Sequence, residues 1–170
     1  MLKQKGFSLI ELLIVVAIIL IIAAIAIPGF MRARLSANES SAVGSIRTIV
    51  TTNVQFATTY GTGFAPALAN LGGAAGCVAA AANACLIDPA LTTGSKSGYQ
   101  FAAVPSGGAG TAVSPFTAFE VEGHPITVGT TGQRSFCADQ SGVIHFDITG
   151  ATFATAPGTC GATPAVQVLR

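Results

Sequence analysis

Residues 7–27 read FSLIELLIVVAIILIIAAIAI, and from Leu12 to Met31 the chain carries no charge. At about 1.5 Å rise per residue, roughly 20 helical residues cover the hydrocarbon core of a bilayer, about 30 Å thick. Lys3 and Lys5 precede the run and favour a cytoplasmic start with the bulk of the chain sent outward, although Arg32 and Arg34 on the far side weaken that charge argument. Orientation therefore rests partly on the cysteines considered below.

Three readings of this segment compete. A secretory signal peptide with an Ala24-Ile25-Ala26 cleavage site is disfavoured, because such apolar regions run to roughly 7–15 residues and rarely hold a carboxylate. Here the run is longer and Glu11 sits within it. A plain membrane anchor leaves Glu11 unexplained, since an ionisable side chain costs about 2.5–3.5 kcal/mol near the centre of a span and less toward its end.

The third reading takes Lys5-Gly6-Phe7-Ser8-Leu9-Ile10-Glu11, the apolar helix and Pro28 together. This string resembles the class III signal of type IV prepilins and type II secretion pseudopilins. The resemblance covers about the first 30 residues. It implies a membrane peptidase that cuts between Gly6 and Phe7 and methylates the new amino terminus at Phe7. Gly6 lets the backbone enter a tight peptidase site.

Such a cut leaves a cationic amine on Phe7 about one helical turn from Glu11. In a filament core of low dielectric each charge needs a partner, so the carboxylate of one subunit can pair with the amine of its neighbour and set axial register. The family resemblance implies the same salt bridge. Before assembly, Glu11 can instead reach back to the membrane interface. Pro28 removes one helical hydrogen bond and, with Gly29, either kinks the helix or marks the outer membrane boundary.

In all, 51% of the 170 residues are hydrophobic and 9% charged, a composition between a soluble globule and a membrane protein. The formal net charge is +1, and loss of a leader holding Lys3 and Lys5 leaves six basic against seven acidic side chains. No broad basic field for nucleic acid exists, and Arg32, Arg34 and Arg47 are too sparse to make one. Cys77, Cys85, Cys137 and Cys160 form an even set beyond the apolar segment, which points to two disulfides outside the reducing cytoplasm. Three connectivities are open, with local pairing favoured by the closeness of Cys77 to Cys85. Neither histidine has zinc-like spacing from a cysteine.

Beyond Phe30 the apolar residues Leu35, Val43, Ile46, Val50, Val54 and Ala57 are spaced as one face of a helix running to about Tyr60. This places Arg32, Arg34, Glu39 and Arg47 on or near the solvated side, with Gly61 and Gly63 ending the helix. Residues 61–98 form an Ala- and Gly-rich connection with room for a short helix around Ala79–Ala84. Four strands are expected over Tyr99–Val104, Phe116–Glu122, Arg134–Ala138 and Val143–Ile148, in an antiparallel meander turned by Thr130–Gln133 and Asp139–Gly142. Phe119 and Val121 should face the core, and Glu120 and Glu122 water. A Cys137–Cys160 bond would tie down the tail, resembling the disulfide-bounded C-terminal region of many pilins.

No catalytic constellation stands out. His124, read as lying in a turn before Pro125, and His145 have no partner pattern. Glu120, Glu122, Asp139 and Asp147 lack EF-hand spacing and are read as solvated carboxylates rather than a calcium site, although related pseudopilins hold calcium. The expected fold is α+β, a long helix packed on a meander of about four strands, as the pilin resemblance also implies. The expected organisation is a leader at 1–6, a membrane and filament-core helix at 7–30, and an extracytoplasmic head at 31–170. The expected function is that of a non-enzymatic filament subunit without cofactors. It would sit in the inner membrane first and in a surface pilus or periplasmic pseudopilus afterwards. Implied partners are copies of itself, the prepilin peptidase, and an inner-membrane platform with its ATPase. The alternatives are a secretion pseudopilin or a minor pilin with an adhesive or DNA-binding tip.

Overall fold

The computed structural model describes residues 7–74, 76–153, 158–160 and 167–169. The chain divides into two compact units between Arg34 and Leu35. Helix α1 spans Leu9–Tyr60 and carries the described part of the first unit beyond Ser8 and the start of the second. It stops at Gly61, which adopts φ of 67° and donates its N–H to the Ala57 carbonyl at 3.1 Å. A left-handed residue at this position favours glycine.

Within the second unit, α1 buries Glu39, Ala42, Ser45, Ile46, Ile49, Thr52, Asn53 and Phe56. Glu39, Ala42, Ile46, Ile49, Asn53 and Phe56 alternate in steps of three and four, the spacing of a single helical face. The stripe read from sequence was therefore turned by about one position: Val54 is exposed, and Leu35, Val43, Val50 and Ala57 lie at the margins. Polar residues inside the true stripe disguised it. Thr52 satisfies its hydroxyl on the Thr48 and Ile49 carbonyls. Asn53 donates to the Ile49 carbonyl and accepts the Ala65 N–H, so the end of the helix is tied to the chain that follows.

Glu39 is the larger correction, because it is buried rather than solvated. Its Oε1 accepts the backbone N–H groups of Gln133 and Arg134, and its Oε2 accepts Nε and Nη2 of Arg134 at 2.9 and 2.7 Å. That two-pronged contact suits the planar guanidinium, which also lies over the rings of Phe136 and Phe146.

The connection begins with α2, Leu68–Leu71, and continues to α3, Pro89–Thr92, whose first turn is capped by the Asp88 carboxylate accepting the Leu91 N–H. No helix forms at Ala79–Ala84. Ala80 and Asn83 instead exchange backbone hydrogen bonds across a tight turn, and the Asn83 side chain bonds the Val78 carbonyl. Six strands follow in sequence order, every neighbouring pair antiparallel: β1 Ser95–Lys96, β2 Tyr99–Ser106, β3 Ala118–Pro125, β4 Ser135–Asp139, β5 Ile144–Asp147 and β6 Gln167–Val168. The four expected strands are β2 to β5, with shifted ends. The additional β1 and β6 are two-residue edges too short to show alternation. His124 and Pro125 close β3 and do not lie in a turn.

Register puts Phe101, Val121, Gly123, Phe136, Ala138, Ile144 and Phe146 on one face of the sheet. All but Gly123 belong to, or pack on, a core shared with Ala42, Ile46, Ile49 and Phe56 of α1. Gly123 marks the closest approach, since an added Cβ would meet the Phe101 ring at 2.8 Å and Ile46 at 3.4 Å. Each fully buried Ile or Phe in this layer contributes about 1.5–3 kcal/mol.

Replacing Glu39 by Ala is expected to lower unfolding stability by about 2–3 kcal/mol, measured by denaturant titration. A wholly buried pair would cost about 3–5 kcal/mol, and the half-exposed Arg134 side chain reduces the loss.

Candidate functional site

The candidate site begins at the amino-terminal end of α1. Gly6, the expected cleavage residue, lies outside the described residues, as does the leader as a whole. Phe7 is 82% exposed. Ser8 precedes the first helical residue, and its carbonyl accepts the Leu12 N–H at 3.3 Å. The Glu11 carboxylate reaches back to accept the Ser8 N–H at 3.0 Å. This is half of a capping box: the carboxylate satisfies a donor at the helix start and places negative charge at the positive end of the helix dipole. In the isolated chain, then, Glu11 is occupied by its own helix, with Phe7 four positions before it.

From Leu9 to Phe30 the helix turns apolar side chains outward on every side. Leu12, Ile14, Val16, Ile19, Ile22, Ile25 and Ile27 are all exposed. By length and composition the helix is able to cross a membrane, and none of its most apolar stretch is buried within the chain. A helix hydrophobic all round needs an apolar surrounding on every side, whether lipid or other helices. Pro28 and Gly29 lie inside α1, and the helix continues through both. An added Cβ at Gly29 would meet nothing within 4 Å.

The second unit presents no set of convergent catalytic groups among the described residues. Its cysteines are joined as Cys77–Cys85 and Cys137–Cys160, with Cα–Cα distances of 6.3 and 5.7 Å. The first closes the Ala-rich turn, and the second fastens the C-terminal segment to β4. Four of the carboxylates read as solvated from sequence divide into two kinds. Asp139 and Asp147 are exposed or half-exposed and cap their own turns through Ser141 and Thr149. Glu120 and Glu122 are not free. Glu120 accepts the N–H groups of Gly158 and Cys160 and the hydroxyl of Thr159 at 2.8, 2.9 and 3.1 Å. Glu122 is buried, and that burial pushes its carboxyl above the ordinary carboxylate range.

The alternation of β3 therefore holds, with Phe119 and Val121 inward, but its outer face is covered rather than wet. His124 stands on this face beside Glu122, and His145 opposite Cys137 in register. Sequence reasoning missed both the Glu39–Arg134 pair and the Glu120 anchor. The 39-42-46-49-53-56 spacing was a signal for the first. For the second the only sequence signal was Cys160, because backbone donors leave no mark in side-chain composition.

Residues 1–27 match the family described as the prokaryotic N-terminal methylation motif. The chain is similar to the type IV major pilin protein PilA of Myxococcus xanthus, 44% identical over 54 residues, which are 32% of this chain and 24% of that protein. It is also similar to the type IV wide pilus major component PilA4 of Thermus thermophilus, 58% identical over 38 residues, 22% of this chain and 29% of that one. The matched stretches thus span only 24% and 29% of these curated relatives' own length. No solved structure matches the chain. The long helix and antiparallel sheet make an α+β, pilin-like fold.

Because the second unit contains the whole core cluster, a fragment beginning at Leu35 is expected to remain soluble and to unfold cooperatively without detergent. Sedimentation and thermal circular dichroism check this; aggregation of the fragment would show that the core depends on the residues removed.

Proposed function

We propose that this chain is a prepilin and that its mature form is a structural, non-catalytic subunit of a type IV pilus. The observation that carries the reading is the conjunction, in residues 1–27, of the methylation motif with an apolar helix whose whole circumference is exposed. The similarity to two major pilins favours a pilus over a secretion pseudopilus. In this reading the peptidase cuts between Gly6 and Phe7, and Phe7 receives the methyl group. The apolar helix holds the subunit in the inner membrane, with the head of residues 31–170 outside the cytoplasm. An assembly platform driven by an ATPase then moves it into a surface filament made of copies of itself.

Glu11 has two roles in sequence. In the isolated chain it caps its own helix through Ser8. On entry into a filament it pairs with the Phe7 amine of a neighbour, in a core where an unpaired charge is expensive. Pro28 and Gly29 supply the place where the helix bends or opens as subunits pack, since the proline nitrogen has no hydrogen to donate.

The test is intact-mass and N-terminal peptide analysis of material sheared from the surface of the native host, together with the Glu11→Ala variant. A mature chain starting at methylated Phe7 is expected for both the native protein and the variant. Filaments are expected from the native chain, and a tenfold or greater loss from the variant, about 1.4 kcal/mol or more per tenfold. A native chain that keeps Met1, or starts near Ile27, overturns the reading.

A further inference from the structure

Outside the amino-terminal site, the charged groups of the head do not all find partners within the chain. Lys96 is paired with Asp88, and Arg134 with Glu39. Arg47 is exposed, and among the described residues its guanidinium makes no ion pair or hydrogen bond. It lines a cleft of about 310 Å³ together with Glu39, Ser40, Val43, Arg134 and Leu169.

Three of those side chains set the charge of the cleft. Glu39 engages Nε and Nη2 of Arg134, and a guanidinium carries five N–H donors in all, so part of the Arg134 fork stays open. Glu39 and Arg134 cancel, and the cleft keeps the single positive charge of Arg47. Val43 and Leu169 are half-buried and pack on the core, which gives it apolar walls. An anion seated there is partly withdrawn from water, where its attraction to a cation is stronger than on an open surface. A planar carboxylate is the anion whose shape a guanidinium matches.

The matching group lies elsewhere on the same chain. Asp139 ends β4 and opens the turn to β5, in which Gln140, Ser141 and Gly142 are exposed. Its Oδ1 accepts the N–H and the hydroxyl of Ser141, while its Oδ2 has no hydrogen-bond partner among the described residues. The turn therefore holds a carboxylate in place with one oxygen to spare.

Asp139 is badly placed to serve the cleft of its own subunit. Phe136 and Ala138 of β4 face α1, so Asp139 projects from the opposite face of the sheet. It also lies at the far end of β4 from Arg134, about 17 Å away at roughly 3.4 Å per extended residue.

We propose that the Arg47 cleft of one subunit receives the Asp139 turn of the next. The inference rests on the pilus reading above and adds to it a contact between heads. Two different patches of one chain meeting in this way make a heterologous interface, which repeats either into a ring or into an open helix. One cleft and one turn per subunit thus propagate along a filament, leaving one of each unmatched at its ends. An ion pair at the rim of a contact is screened by salt and gives orientation and partner choice more than adhesion. Adhesion stays with the apolar helix.

The experiment expresses the full chain in its native host in place of the native copy. Two amounts are measured for each variant: subunit in the sheared surface fraction, and mature subunit starting at Phe7 in the membrane fraction. Arg47→Glu and Asp139→Arg are each expected to lower the surface amount about tenfold or more, because like charges then meet at every repeat. The membrane amount is expected to stay within about twofold of native, and the double variant, with its charges exchanged, to recover the surface amount to within about threefold. Asp139→Asn keeps an oxygen for the Ser141 N–H but loses the charge, and about a threefold loss is expected from it. Where Asp139→Arg also lowers the membrane amount, Asp139→Asn decides, and native-level assembly from it overturns the proposal. Single variants that all assemble like the native chain overturn it as well. So does a double variant no better than the singles, or rescue of Arg47→Glu by Asp147→Arg, which would seat a different carboxylate in the cleft. Failure of the pilus reading looks different: the native chain itself would be missing from the surface fraction or would not start at Phe7.

Discussion

An antiparallel sheet can leave one face to water only if the other is covered by something apolar, and in this chain the cover is the face of α1 that runs from Glu39 to Phe56. That face is not uniformly apolar. It opens with a carboxylate and closes near an amide, and both are buried with partners from distant parts of the chain. Glu39 fixes the helix against the start of β4 through Arg134, and Asn53 fixes it against the connection through Ala65. Between them, Ile46 and Ile49 supply adhesion without direction. The polar ends give the contact its register, because sliding the helix by one turn would leave a buried carboxylate unpaired, a cost far above that of a misfitted methyl group.

The first unit obeys the opposite rule. Nothing in its apolar stretch is buried within the chain. A single chain in water could not keep so many Leu, Ile and Val side chains exposed, each worth about 1.5–3 kcal/mol when removed from water. Its charge is concentrated at the ends: Glu11 within the first turn, Arg32 and Arg34 past the last apolar residues. The Ser8–Glu11 cap shows how the carboxylate is tolerated in an isolated chain, by bonding a donor that the helix would otherwise leave free. The same oxygen atoms remain available for a stronger partner, since one neutral N–H is a weak claim on a carboxylate compared with an amine.

How much of this was legible in the sequence follows from how local each signal is. The span, the Glu11 exception and the four longer strands are written in contiguous residues, so periodicity and charge were sufficient. The helical face was misjudged because an apolar-only count skips Glu39, Ser45, Thr52 and Asn53, and drifts onto Val50 and Val54. The Ala79–Ala84 run suggested a helix on propensity alone, yet a four-alanine stretch between two bonded cysteines is too short to repay helix nucleation, and a turn closes it instead. Glu122 looked solvated because alternation tells which face a residue is on, never whether that face is covered.

The covering of the outer face alters what β3 means for the fold. Strands in a one-sided sheet can change their wet residues freely, but here Glu122 is buried and Glu120 is bonded by residues 158–160. Their described contacts are mainly backbone N–H groups, which need acceptors, and Glu120 provides acceptors for two of them. A disulfide alone would hold Cys160 near β4 while leaving those donors to compete for water. The carboxylate therefore determines how the segment lies, and the disulfide determines that it lies there at all. Two kinds of restraint, one covalent and one electrostatic, act on residues only a few positions apart. That is how residues 158–160, which bring no large apolar side chain, are held against the sheet.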